Sequence, residues 1–191
     1  MLPVTLAILA GGQSSRMNYQ NKAFLSYQEK SFIERLIEAG SDFEEVMIIA
    51  NTKEAYEHFN LQVISDVYPG NGPLSGIHAA LKVAKTSTVL CIACDMPLTS
   101  KEVLNGLAQA SGDYDVCIPE YEGRLQPLCA IYSKRLVYRV EEQLKKGDFK
   151  LQYFIRQLNY QVIRELPNRE FKWTDFLNVN TPTDLSELEE I

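Results

Sequence analysis

The sequence predicts an α/β protein: a three-layer, mostly parallel, doubly wound sheet with a small accessory antiparallel lobe. Val4 to Ala10 is an uncharged apolar run with β-branched members, the pattern of a central strand buried on both faces of a parallel sheet. Strand-like and helical stretches then alternate at short intervals as far as residue 118, which implies right-handed crossovers. Several of the strand-like runs stop on a glycine, an amide or a carboxylate, and ligands on such sheets bind outside the carboxyl ends of the strands.

After Gly11-Gly12 breaks the first run, Ser31 caps a helix in which Phe32, Ile33, Leu36 and Ile37 recur at helical spacing and Gly40 marks the end. Glu45 to Ala50 is a second buried strand that stops at Asn51. Lys53 to Phe59 reads as a short helix, and Leu61 to Ile64 as a third strand followed by Asp66. Tyr68 to Gly76 is dense in glycine and proline and forms a shaped loop, with Ser75 expected to cap a helix over 76–85. Thr88 to Cys94 is a fourth strand that runs straight into Asp95-Met-Pro-Leu; a helix over 101–110 and a strand over 114–118 follow.

From Pro119 the pattern changes. Residues 120–124 read as a hairpin tip, 127–132 as a strand, 134–146 and 150–158 as helices, and 160–164 as a strand. A short strand over 176–180 precedes a terminal helix opened by Thr181 and Pro182.

With 191 residues, 46% of them hydrophobic, the chain can bury roughly 70% of its unfolded surface in one core. One domain over 1–191 is therefore expected, with halves meeting at 118 and 119. A net charge of -6 argues against nucleic acid as a partner, since such proteins carry a basic face to replace counterions. No apolar stretch is long enough to cross a bilayer and no secretory signal pattern opens the sequence, so a cytoplasmic location is expected. Cys91-Ile-Ala-Cys94 matches C-x-x-C in form only. Positions three apart on a strand point to opposite faces, there is no second such pair, and buried thiols in a reducing compartment are the better account.

Gly11-Gly12, Ser14, Ser15, Arg16 and Lys22 bring bare backbone N–H groups, hydroxyls and two positive charges together, a place to hold phosphates. Neither G-x-x-x-x-G-K-[ST] nor G-x-G-x-x-G is present. Leu9-Ala-Gly-Gly-Gln-Ser-Ser-Arg-Met17 with Lys22 resembles the signature of the Rossmann-like nucleotidyltransferases, which move a nucleoside monophosphate from an NTP to a phosphate acceptor. Within that superfamily the chain is most similar to the molybdenum cofactor guanylyltransferases, with five matching motifs in order from Leu9 through Asp184.

The resemblance implies transfer of GMP from GTP to the terminal phosphate of molybdopterin or Mo-molybdopterin, with Mg2+ as cofactor. It makes 1–118 the nucleotide-binding half and 119–191 the acceptor-side half. A GTP-binding companion protein and molybdoenzymes are its expected partners. Asp95, Lys22 and Arg16 become the catalytic set. Asp95 would hold the metal; from spacing alone it could equally cap a helix. Leu9, Ala10, Gly11, Gly12, Lys22, Asn51, Asp66 and Asp95 would bind GTP, and either Asn51 or Asp66 would touch the guanine edge. CTP-using relatives tend to carry L-A-A-G where this chain has Leu9-Ala10-Gly11-Gly12, which favours GTP.

Arg124, Gln126, Asn178 and Asn180 are the implied acceptor residues, with Asn178 and Asn180 on one side of a strand. The chain departs from the family where it has Asn18 and Asn21 in place of Gly and Asp; Asn tolerates left-handed geometry, so the loop survives. Rival readings are a CTP-using or sugar-phosphate nucleotidyltransferase, a non-catalytic nucleotide sensor, and a dinucleotide-binding oxidoreductase suggested by Gly70, Gly72 and Gly76. Pro73 and the spacing make that last glycine set a poor fingerprint.

Overall fold

The structure, a computed structural model, describes residues 1–11, 21–68 and 70–189. It opens with β1 (Leu2–Leu9), followed by a small antiparallel ribbon of β2 (Ser26–Tyr27) and β3 (Lys30–Ser31). Helix α1 (Phe32–Ala39) carries a full capping box: Glu34 N–H donates to Ser31 Oγ, and Ser31 N–H to the Glu34 carboxylate. Then come β4 (Phe43–Ile49), a 3-10 helix over Lys53–Phe59, and β5 (Gln62–Ile64). Helix α2 (Pro73–Val83) leads to β6 (Thr88–Ala93), and α3 (Lys101–Ala110) to β7 (Val116–Tyr121).

In the second half, β8 (Arg124–Leu125) pairs back on β7 through a turn in which Glu122 and Gly123 both take positive φ, and β9 (Cys129–Ser133) follows. Helices α4 (Val137–Lys145) and α5 (Leu151–Ile155) precede β10 (Tyr160–Ile163). A second antiparallel ribbon, β11 (Glu165–Leu166) with β12 (Arg169–Glu170), and α6 (Pro182–Glu189) complete the fold.

The main sheet runs in the order β10-β7-β9-β6-β1-β4-β5, with β8 beside β7. Its neighbours are parallel except β9, which lies antiparallel to both β6 and β7, and β8, which is antiparallel to β7. Strands of the second half thus extend the same sheet, and the small antiparallel ribbons sit off it. Side chains alternate between two cores. Leu6, Ile8, Leu90 and Ile92 face α1 and α3, while Ala7, Leu9, Val89 and Cys91 face α2, α4 and α5. Each fully buried leucine or isoleucine there contributes roughly 1.5–3 kcal/mol. Because α1 and α2 lie on opposite faces, the winding reverses between β1 and β6, and the crevice at that reversal is where such sheets bind ligands.

Three expectations are corrected. Ser75 does not cap α2: the helix begins at Pro73, and the cap is Gly72 at φ 71° and ψ -165°, backbone that only glycine adopts readily. Pro73 supplies a preset φ at the first helical position and moves the start three residues earlier than a Ser75 cap would. The strand expected to begin at Tyr114 begins at Val116. Residues 177–180 form no strand. A 3-10 helix over Trp173–Phe176 runs into extended chain tied to the Asp95 carbonyl by a single Val179 N–H bond, too little for a ladder. The helix start expected at Thr181-Pro182 is present, with Asp184 N–H donating to Thr181 Oγ1.

Candidate functional site

Pairing sets Leu9 level with Ile49 on one side and with Ala93 on the other, so β1, β4 and β6 end together. Ala10 N–H donates to Ile49 O at 2.9 Å, and Cys94 N–H to Leu9 O at 3.0 Å, carrying the sheet one residue past each strand. Gly11, Asn51 and Asp95 therefore leave the sheet at one edge. A cleft of about 260 Å3 opens there, lined among others by Leu9, Ala10, Gly11, Lys22, Asp66 and Asp95.

Asp95 does not cap a helix. α3 is capped by Ser100, whose Oγ accepts from Val103 N–H, and the buried Oδ1 of Asp95 has no hydrogen-bond partner among the described residues. Its other oxygen lies 3.8 Å from Lys22 Nζ, which donates to Asn180 Oδ1 at 2.6 Å. Burial pushes the Asp95 carboxyl above its ordinary value, and the Lys22 ammonium and a backbone hydrogen bond only partly offset it. An orphaned, partly desolvated carboxylate oxygen is the donor chemistry a hard divalent cation takes. No group of three His, Cys, Asp or Glu side chains suited to a metal occurs among the described residues. A cation here would accordingly complete its shell with water and phosphate oxygens, which is how Mg2+ is usually held.

Lys22 opens a short 3-10 helix, Lys22–Phe24, capped by Asn21, whose Oδ1 accepts from Ala23 N–H at 3.1 Å. Asn21 Nδ2 also donates to the hydroxyl of buried Tyr56 at 2.7 Å, and that hydroxyl donates to Ala10 O at 3.4 Å. The amide matters at position 21. A carboxylate there would take the tyrosine proton for itself and leave the Ala10 carbonyl unserved. Burial pushes the Tyr56 hydroxyl up to about 12, so it stays a donor at neutral pH.

Asp66 presents a second orphaned, buried carboxylate oxygen to the cleft, and burial raises its pKa too. Asn51 is exposed beside it rather than lining the cleft; its Oδ1 accepts from Asp66 N–H at 3.0 Å. The residues expected at the acceptor are divided. Arg124, Gln126 and Asn178 line a second cleft of about 530 Å3, whereas Asn180 belongs to the Lys22–Asp95 group. Asp184 holds Asn180 in place by accepting both the Asn180 and Thr181 N–H groups, at 2.7 and 2.9 Å.

Gly12 and Arg16 lie outside the described residues. Sequence reasoning missed Tyr56 and Asp184. A tyrosine in a short amphipathic helix reads as core; Thr181-x-x-Asp184 is a legible capping pattern whose bonds also reach the site. Cys91 and Cys94 face opposite cores as free thiols, as expected. No described helix is long and apolar enough to cross a membrane.

Sheet order and carboxyl-edge cleft define a doubly wound α/β protein built to hold a ligand where the winding reverses. The chain belongs to the MobA-like NTP transferase family, whose model matches residues 6–162, and it is a nucleotidyltransferase. It is 45% identical over 194 aligned residues to the "Probable molybdenum cofactor guanylyltransferase" of Clostridium perfringens strain 13, covering 98% of this chain and 97% of that one. It is 34% identical to the "Molybdenum cofactor guanylyltransferase" of Syntrophotalea carbinolica, over 93% and 86% of the two chains. Among solved structures, molybdopterin-guanine dinucleotide biosynthesis protein A from Archaeoglobus fulgidus superposes with a TM-score of 0.81 at 27% identity, covering 97% of each chain.

Proposed function

We infer that this enzyme transfers GMP from GTP to the terminal phosphate of molybdopterin or its molybdenum-bound form, in the cytoplasm. The observation that carries the reading is the group Lys22, Asp95 and Asn180 at the carboxyl edge of β1 and β6, in a chain so close over its length to named guanylyltransferases. An acceptor phosphate oxygen attacks the α-phosphorus of GTP. As that P–O bond forms, the bond to the bridging oxygen breaks, and its electron pair leaves with pyrophosphate. Such transfer needs positioning and charge neutralisation more than covalent work from the protein. Lys22 meets the leaving phosphates together with Arg16, and Gly11 and Gly12 offer backbone N–H groups. Mg2+, held by Asp95, supplies charge neutralisation on the triphosphate when bound.

Asp66 reads the base, with Asn51 steadying it from behind. Its buried Oδ1, without a hydrogen-bond partner among the described residues, suits guanine, which offers N1–H and N2–H side by side, whereas cytosine presents an acceptor at N3. Residues 1–118 serve the nucleotide and 119–191 the acceptor, consistent with a second cleft lined by residues 121–126, Gln152, Arg156, Trp173 and 176–178. The GTP-binding companion protein and molybdoenzymes belong to the same proposal.

The test is pyrophosphate release with GTP and molybdopterin. CTP, or sugar 1-phosphates in place of the pterin, should give none; turnover with either would move the assignment to that rival. Asp66→Asn should lower the preference for GTP over CTP by roughly 10- to 100-fold, the range for loss of a paired base contact. Gly11→Ala offers an independent check. A Cβ there meets nothing described closer than Ile49 O at 3.8 Å, so the melting temperature should move by no more than about 1–2 °C. GTP affinity, read by calorimetry, should nevertheless fall if that backbone closes on phosphate; unchanged affinity would remove Gly11 from the site.

A further inference from the structure

Of the seven described arginines, Arg35, Arg135, Arg139, Arg164 and Arg169 spend their guanidinium groups on carbonyls or carboxylates of the fold. Arg124 and Arg156 have no side-chain partner among the described residues, and both line the second cleft. The chain's one tryptophan, Trp173, lines it as well. The residue is 51% exposed, and its indole makes no hydrogen bond or ring contact to a described residue. An exposed indole offers a stacking face, and unpaired arginines beside it add cationic donors, so together they form a surface for a flat ring with polar edges.

These groups are held firmly from behind. Trp173 opens the 3-10 helix that ends at buried Phe176, and Lys172 N–H donates to the buried Asp175 carboxylate, which also takes Arg169. Arg156 follows α5, anchored by buried Leu151, Phe154 and Ile155. The chain then passes from Trp173 through Asn178, still lining this cleft, to Asn180, which contacts Lys22 in the first. One ligand lying along 173–180 would therefore have its ring at Trp173 and its phosphate at Lys22 and Asp95.

Resting on the reading above, we propose that the second cleft seats the acceptor's fused heteroaromatic ring. Trp173 is the stacking platform, and Arg124 and Arg156 face the ring's carbonyl and anionic edges. Trp173 and Arg156 thus set acceptor specificity, while the first cleft handles the nucleotide. A cleft of this size lies within the range of small-molecule sites.

The lone tryptophan makes the test direct. Wild-type protein is titrated with a stable 6-substituted pterin monophosphate while the Trp173 fluorescence is followed, with GTP titrated separately by calorimetry. Saturable quenching by the pterin is expected. In Trp173→Ala and in Arg156→Ala, calorimetric pterin affinity should fall about tenfold or more, as for loss of a stacked base. GTP affinity should stay within about twofold, and in turnover the acceptor KM should rise with kcat at saturation nearly unchanged. Trp173→Phe should recover most of the affinity. Absent quenching with normal GTP binding would overturn the ring seat and leave the nucleotide reading standing; failure of GTP itself to bind would overturn both. Equal loss of pterin and GTP affinity in Arg156→Ala would show a structural role and overturn the assignment.

Discussion

Asp95→Asn is expected to lower turnover by at least about 10^3-fold while raising the melting temperature of the free protein. The two effects share one cause. Asp95 holds a carboxylate oxygen in a buried position with no partner, and burial has pushed its pKa above the ordinary value despite Lys22 at 3.8 Å. In the unfolded chain Asp95 titrates at the ordinary value. Between the two values the folded protein keeps a proton that the unfolded chain has released, so the stabilising contribution is complete below this window and lost as pH rises through it. At neutral pH the ionised group therefore lowers stability, and the isosteric amide relieves it. A gain of about 1 kcal/mol, or roughly 2–4 °C, is the expected size for a chain of this length. Calorimetric scans of the apo proteins across pH should show the variant's advantage growing from acid to neutral. An unchanged turnover would remove Asp95 from the chemistry, and a lower melting temperature would mean that it is structural.

Lys22→Met is the second large effect: kcat/KM should fall by about 10^2- to 10^3-fold, the scale for losing one fixed positive donor at a site of developing charge. Methionine keeps most of the stem, and the 3-10 turn rests on Asn21 and Tyr56 rather than on the ammonium, so folding should survive. The variant also carries a pH signature. Lys22 is the largest influence holding the Asp95 pKa down, so its removal lets that pKa climb further. If activity needs ionised Asp95, the acid limb of the pH–rate profile moves to higher pH. Lys30→Met makes the control, because its ion pair with Glu38 is exposed on both sides and worth little. A profile that keeps its acid limb in Lys22→Met would dissociate the two residues.

The layered α/β architecture and the strand-end placement of Gly11, Asn51, Asp66 and Asp95 were legible in the sequence, because buried parallel strands leave uninterrupted apolar runs and a glycine or polar residue breaks each of them. Caps at Ser31 and Thr181 were legible for the same local reason, a hydroxyl or carboxylate three residues from an exposed amide. Ser75 misled because it is a common capping residue; Gly72 and Pro73, whose backbone preferences are stronger, start the helix first.

What only the tertiary structure decided was which residues meet. Strand periodicity put Asn178 and Asn180 on one side, yet the chain there forms no ladder, and one faces the second cleft while the other grips Lys22 across 158 positions of sequence. The placement of Asp66 in the cleft with Asn51 bonded behind it, the Tyr56 hydroxyl bridging Asn21 to Ala10, and the meeting of Arg124, Arg156 and Trp173 have no local signature either. Sequence patterns report the periodicity with which a segment buries its own side chains. Contacts between segments depend on how the sheet winds and where loops cross its edge, and in this chain that decided which charges would stand without partners.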